Sequence, residues 1–147
     1  MKLRQNRLPI EDLDNSPVEI YIDGAARGNP GNSGIGVLIR ETKEKEREIK
    51  KYLGTQTNNQ AEYTALITAL ESANDLKDKQ IKIFTDSLLV ANQINGVWKV
   101  RHPEILTLNK KAKHLLQNFK NITIQHIPRE LNHEADRLAN LAIDEYL

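Results

Sequence analysis

The feature that most restricts the folds open to this chain is a change of rhythm near residue 57. Before it, three segments alternate apolar and polar residues: "VEIYID", with Val18, Ile20 and Ile22 on one side, "GIGVLIR", with Ile35, Val37 and Ile39, and "REIKKYLG". A period of two marks strands with one face on a core. The stretch between the first two, "GAARGNPGNSG", is a glycine, asparagine and proline cluster that predicts a turn, and "ETKEKE" predicts a solvated hairpin tip. Links this short imply an antiparallel meander. Thereafter the spacing predicts a helix over about Asn58 to Asn74 and a strand at "QIKIFTD", alternating through Ile81, Ile83 and Thr85. A short helix at "SLLVANQI", a longer one over "PEILTLNKKAKHLLQNF", a strand at "NITIQHI" and a last helix at "NHEADRLANLAIDEYL" follow. A meander followed by alternating helices and strands is an α/β domain with a mixed sheet.

At 147 residues the chain suits one domain with one core. Residues 1 to 16 show no sustained periodicity and end at "NSP", so they read as a loosely ordered arm, with the domain expected over 17 to 147. Lys2, Arg4 and Arg7 give that arm some basic character. The formal net charge is +1, so any electrostatic footprint must be local. With no cysteine there is no disulfide, thiolate ligand or cysteine nucleophile, and no apolar run near the start suits a signal peptide or membrane span. A cytoplasmic, monomeric protein with no membrane contact is expected.

Four acids fall at strand ends or in first helical turns. Asp23 is expected to end the first strand and Asp86 the fourth, while Glu62 and Asp136 open the first and last helices. Glu62 shares a helical face with Leu66, Ala69 and Ala73, and Asp136 one with Ala139, Asn140 and Ile143, so both lean towards the packed side. In an open α/β sheet, ligands bind outside the carboxyl ends of the strands. Singly, each acid also reads as a cap, a turn residue or a first-turn acid favoured by the helix dipole. Clustered burial of carboxylates costs several kcal/mol, of order, unless positive charge sits among them. No lysine or arginine adjoins Asp23 or Asp86 at the strand ends, so a divalent cation is the natural partner, and all-oxygen ligation selects Mg²⁺ or Mn²⁺.

"DGAARGNPGNSGIG" after a strand, "TNNQAE" opening a helix, "TDS" ending a strand and "HIPRELNHEADRLAN" entering the last helix occur in the order of type 1 ribonuclease H, which the chain resembles from about Pro17 to its end. The resemblance implies a ribonuclease H-like fold: a five-stranded mixed sheet, with strands 1–3 an antiparallel meander and strands 4 and 5 parallel, flanked by helices. It implies hydrolysis of the RNA strand of RNA–DNA hybrids with two divalent ions. Asp23, Glu62, Asp86 and Asp136 match the family's four metal-binding acids. Asp23 would bridge the ions, one shared with Asp136 and the other with Glu62 and Asp86. A family histidine that assists the attacking water or product release precedes the last acid by ten residues, as His126 does. A "PR" pair occupies this loop in compact archaeal and bacterial members, making Arg129 the alternative or auxiliary to His126. His133, beside the expected N-cap Asn132, is a lesser candidate, and His102 and His114 look like surface residues.

For the nucleic acid, Asn29, Asn58 and Asn59 match family positions near the RNA strand and cleft, with Gly24 beside them, and Thr57 matches a residue that holds a DNA-strand phosphate. Amides suit 2′-hydroxyls because they both donate and accept. The same residues also read as turn and cap residues. Trp98 matches an aromatic near the DNA strand. Leu88 stands where some members carry a glutamine that contacts nucleic acid. Between "NGVW" and "PEIL" the chain lacks the basic handle of many bacterial and vertebrate members. Lys99, Arg101, Lys110, Lys111 and Lys113 are the remaining candidates for phosphate contact, which predicts weak, salt-sensitive binding. Two other readings stay open: a nuclease of the same fold acting on duplex RNA or structured DNA, and a non-catalytic hybrid-binding module.

Overall fold

The computed structural model describes residues 16–147, so the expected arm, apart from Ser16, lies outside the described residues. Three strands come first, β1 (Val18–Gly28), β2 (Gly31–Arg40) and β3 (Glu46–Gln56), paired antiparallel in succession. Helix α1 (Asn58–Ser72), strand β4 (Gln80–Thr85), helices α2 (Leu88–Ile94) and α3 (Pro103–Leu116), strand β5 (Asn121–His126) and helix α4 (His133–Tyr146) follow. The sheet order is β3-β2-β1-β4-β5, with β4 parallel to β1 and β5 parallel to β4. This is the expected mixed sheet. Among the described residues no helix is long and apolar enough to cross a membrane.

Pairing explains the core. Val18 lies opposite Ile81, and Ile20 lies opposite both Ile83 and Ile39, so alternate residues of three strands form one apolar face. Ala65, Leu66, Ala69 and Leu70 of α1 cover it, all essentially inaccessible to solvent. The other face of β2 is closed by α4, which approaches so closely that a Cβ on Gly36 would lie 2.1 Å from the Ala135 carbonyl oxygen. β2 is therefore buried on both faces from Ser33 to Ile39. Thr57 caps α1 in a reciprocal box: its hydroxyl accepts from Gln60 N–H at 3.1 Å, and Gln60 Oε1 accepts from Thr57 N–H at 2.8 Å. Such a cap stabilises a helix by roughly 1 kcal/mol. A buried chain of hydrogen bonds ties three helices together, from Asn109 Nδ2 to Tyr63 Oη and from Tyr63 Oη–H to Gln93 Oε1.

Two expectations are corrected. "GAARGNPGNSG" is not all turn: β1 runs on to Gly28 and β2 starts at Gly31, leaving Asn29 and Pro30 as the link. The small residues sit in an antiparallel ladder, Ala25 opposite Gly34 and Arg27 opposite Asn32, and Gly34 and Gly36 are there to admit α4. Consequently Asp23 does not end β1 but lies in its middle.

Candidate active site

Ile22 pairs with Thr85, the last residue of β4, whereas the ladder from β1 to β2 continues for six residues more. Beyond that split no strand among the described residues flanks β1 on the β4 side, and side chains from both faces of the sheet can meet. Asp23 is the first residue past the split, and Asp86 follows β4 directly. Glu62 arrives from α1 on one face and Asp136 from the first turn of α4 on the other. Carboxylate oxygens of Asp23, Glu62 and Asp86 lie within 4.8 Å of one another. Asp136 is half-buried beside Asp23, outside that tight trio. Glu62 is only 6% exposed, as the apolar face it shares with Leu66 and Ala69 predicted.

The main chain holds Glu62 in place. Gly24 N–H donates to Glu62 Oε1 at 2.9 Å, and α1 lies so near β1 that a Cβ on Gly24 would come within 2.3 Å of the Ala61 carbonyl carbon. Gly24, read from the sequence as a nucleic-acid contact, is occupied in this geometry with seating an acid.

Electrostatics follow from crowding. Burial first, then repulsion from Glu62 and Asp86, pushes the Asp23 carboxyl up to about 9. Burial raises Glu62 to about 8, opposed by the Gly24 hydrogen bond. Asp86 is raised by burial as well, an effect moderated by the Asn132 amide and the Arg129 guanidinium. An all-oxygen donor set this crowded fits a hard divalent cation, with Asp23, Glu62 and Asp86 as the residues able to hold it. A stability prediction follows. The unfolded carboxyls lose their protons near pH 4, but the folded ones keep theirs up to about pH 8–9, so the native state binds more protons across that window. Their contribution is therefore complete below about pH 4 and is lost as pH rises through 8 to 9. In chelator, the melting temperature is expected to fall by roughly 5 °C or more between pH 6 and pH 9, and added Mg²⁺ or Mn²⁺ should restore more at pH 9 than at pH 6. Calorimetry at the two pH values checks both.

Cations are nearer than expected. Arg27 and Arg129 both line the cleft of about 500 Å³ that contains the four acids. Arg27 arrives because β1 continues past Asp23, placing it on the same strand face four residues on, and Arg129 because a 3-10 turn, Arg129–Leu131, follows β5. His126 is exposed at the end of β5 opposite Thr85 and is not among the residues lining the cleft. His102, His114 and His133 are exposed.

Of the expected nucleic-acid residues, Gly24 and Asn58 line the acid cleft, Asn59 and Trp98 line a second hollow, and Asn29 and Thr57 line neither. The Asn58 N–H donates to Asn29 Oδ1 at 2.9 Å, tying the β1–β2 link to the start of α1. Lys99, Arg101 and His102 also line the second hollow, and Trp98 is 44% exposed there. Thr57 acts as the helix cap described above. Leu88, where some family members have a polar contact, is exposed on the cleft.

Sequence reasoning missed three residues. Asn132 occupies the N-cap position of α4 but does not cap it: its Nδ2 donates instead to the Ile22 carbonyl at 2.9 Å, one residue before Asp23, because the side chain is turned into the sheet and is 1% exposed. Its Oδ1 has no hydrogen-bond partner among the described residues. Arg27 and Asn140 contact each other beside Asp136. Their positions, four residues from Asp23 along a strand and four from Asp136 along a helix, were the available signals.

Known proteins match this arrangement. A family model described as "Reverse transcriptase-like" matches residues 21–142. Ribonuclease HI of Halobacterium salinarum is 43% identical over 129 residues, 87% of this chain, and the chain spans 65% of that protein's length. Ribonuclease H of Coxiella burnetii is 38% identical over 88% of this chain and 92% of its own. The crystal structure of LC11-RNase H1 in complex with an RNA/DNA hybrid superposes with a TM-score of 0.83 at 41% identity, covering 88% of this chain and 98% of that one. With the sheet order, the acid cluster and these matches agreeing, the chain belongs to the type 1 ribonuclease H family.

Proposed function

We propose that residues 17 to 147 form a metal-dependent endoribonuclease that hydrolyses the RNA strand of RNA–DNA hybrids. The observation that carries this reading is the meeting of three carboxylates from separate elements within 4.8 Å, in a cleft that also opens on Asn58 and Arg129. The hybrid bound to LC11-RNase H1, 41% identical, supports the substrate class.

In this reading Asp23, Glu62, Asp86 and Asp136 would hold two Mg²⁺ or Mn²⁺ ions. When bound, such ions would supply activation of the attacking water and neutralisation of the departing oxygen. The chain does the rest by position. Gly24 N–H and the packing of α1 hold Glu62 in one rotamer, so little reorganisation is needed when charge develops on the phosphate. Arg129, on the rim, presents donors to the scissile phosphate region, and its place in the cleft favours it over His126 as the auxiliary group. Asn29 and Asn58, already linked, face the RNA strand's 2′-hydroxyls, while Trp98, Lys99 and Arg101 offer a flat ring and positive charge to the DNA strand.

The test uses a strand-labelled hybrid beside duplex RNA and duplex DNA, in Mg²⁺, Mn²⁺ or chelator. Cutting confined to RNA in the hybrid and requiring metal is expected. Comparable cutting of duplex RNA would favour a broader nuclease, and no cutting by folded protein with either ion would favour a binding module. Arg129→Ala should reduce kcat/KM by roughly 10-fold or more, with His126→Ala affecting it less.

A further inference from the structure

We infer that Arg27 and Asn140 form a relay that fixes the Asp136 carboxylate for metal binding, an inference that rests on the metal-site reading above. Neither residue is one of the four acids. Asn140 lies one helical turn beyond Asp136 on α4, and its Nδ2 donates to the Asp136 main-chain oxygen at 3.0 Å and to Oδ1 at 3.3 Å. Arg27, from β1, donates through Nη2 to Asn140 Oδ1 at 3.1 Å and to the Asn140 main-chain oxygen at 3.4 Å. Its Nη1 is anchored by Asp144 at 2.7 Å.

The order of these contacts matters because a primary amide has one accepting end and one donating end. A guanidinium only donates, so Arg27 takes the oxygen end and turns the NH₂ end towards Asp136. A flipped amide would set oxygen against carboxylate. Asp136 lies beside Asp23 but outside the tight trio and is half-buried, and the Asn140 amide is the donor from its own helix that reaches its carboxylate. Arg27 and Asn140 are thus positioning residues: they act on the metal through Asp136 and through each other.

Charge alone makes the opposite prediction. Arg27 is a cation in the acid cleft, so removing it would draw a divalent ion more tightly if its field were all that mattered. The relay predicts weaker binding.

The test is a Mn²⁺ titration read by thermal unfolding without substrate, alongside the metal dependence of hybrid cleavage. Asn140→Leu is expected to raise the half-saturating Mn²⁺ concentration roughly 5- to 10-fold, and Arg27→Met and Arg27→Lys by a similar or smaller factor, with melting temperatures in chelator close to wild type. Lysine keeps the charge without the fork, so its failure to rescue separates geometry from field. The Arg27→Met/Asn140→Leu double variant should be no weaker than Asn140→Leu alone, as two members of one relay require. Lys50→Met, which breaks an ion pair with Glu145 elsewhere on α4, is the control and should titrate as wild type. Tighter or unchanged Mn²⁺ binding in Arg27→Met, or effects that multiply in the double variant, would overturn the relay while leaving the site intact. A wild type that neither binds Mn²⁺ nor cuts hybrid overturns the metal-site reading and the relay with it.

Discussion

Replacing Asp23 with asparagine is expected to slow cleavage of the RNA strand by at least about 10³-fold while raising the melting temperature of the metal-free protein. The two effects have one cause. Asp23 is 5% exposed and shares its space with Glu62, Asp86 and Asp136, so its charged form is disfavoured by burial and by three like charges. An amide of the same shape removes the repulsion and needs no proton. The gain should be about 1–3 kcal/mol, or roughly 3–8 °C, as seen when a costly functional charge is removed from a protein. The same charge is what a divalent cation would bind, so the stabilised variant should also lose its melting-temperature response to Mg²⁺. A variant that lost activity by misfolding would melt lower. If Asp23→Asn cuts as fast as wild type, the acid cluster is not the catalytic centre.

The second large effect is expected from the loss of a side chain's absence. In Gly24→Ala the new methyl would fall 2.3 Å from the Ala61 carbonyl carbon and 2.5 Å from the Glu62 nitrogen, both main-chain atoms that cannot rotate away. Helix α1 must then move from β1, and the hydrogen bond from Gly24 N–H to Glu62 Oε1 goes with it. Overpacking of this kind costs about 3 kcal/mol or more, so the melting temperature should drop by roughly 10 °C. Cleavage of the surviving folded protein should fall as well, because Glu62 is carried away from Asp23 and Asp86. Circular dichroism melts and hybrid cleavage at a temperature where both proteins are folded check this. A Gly24→Ala protein as stable as wild type would mean the sheet and α1 are not held at this distance.

Much of the fold was legible because burial leaves a period in the sequence. Val18, Ile20 and Ile22 repeat every second residue, Glu62, Leu66, Ala69 and Ala73 every third or fourth, and the structure buries each of them. The glycine-rich stretch was misread as turn because glycine signals local freedom, whereas here Gly24, Gly34 and Gly36 serve close contacts with helices distant in sequence. A requirement set by a distant neighbour has no local signature.

The four acids illustrate the same boundary. The sequence by itself determined that Glu62 and Asp136 lie on packed helical faces, that Asp86 follows a strand, and, through the motif order, which family the chain resembles. Only the tertiary structure decided that β4 stops at Thr85 while β1 runs on, and that this split lets acids from opposite faces of the sheet converge. Only it placed Arg129 in the cleft and His126 outside its lining, turned Asn132 inward to Ile22, and joined Arg27 through Asn140 to Asp136. Periodicity records which side of an element is buried. Contacts between elements depend on strand length, register and helix approach, which arise only when the whole chain has packed.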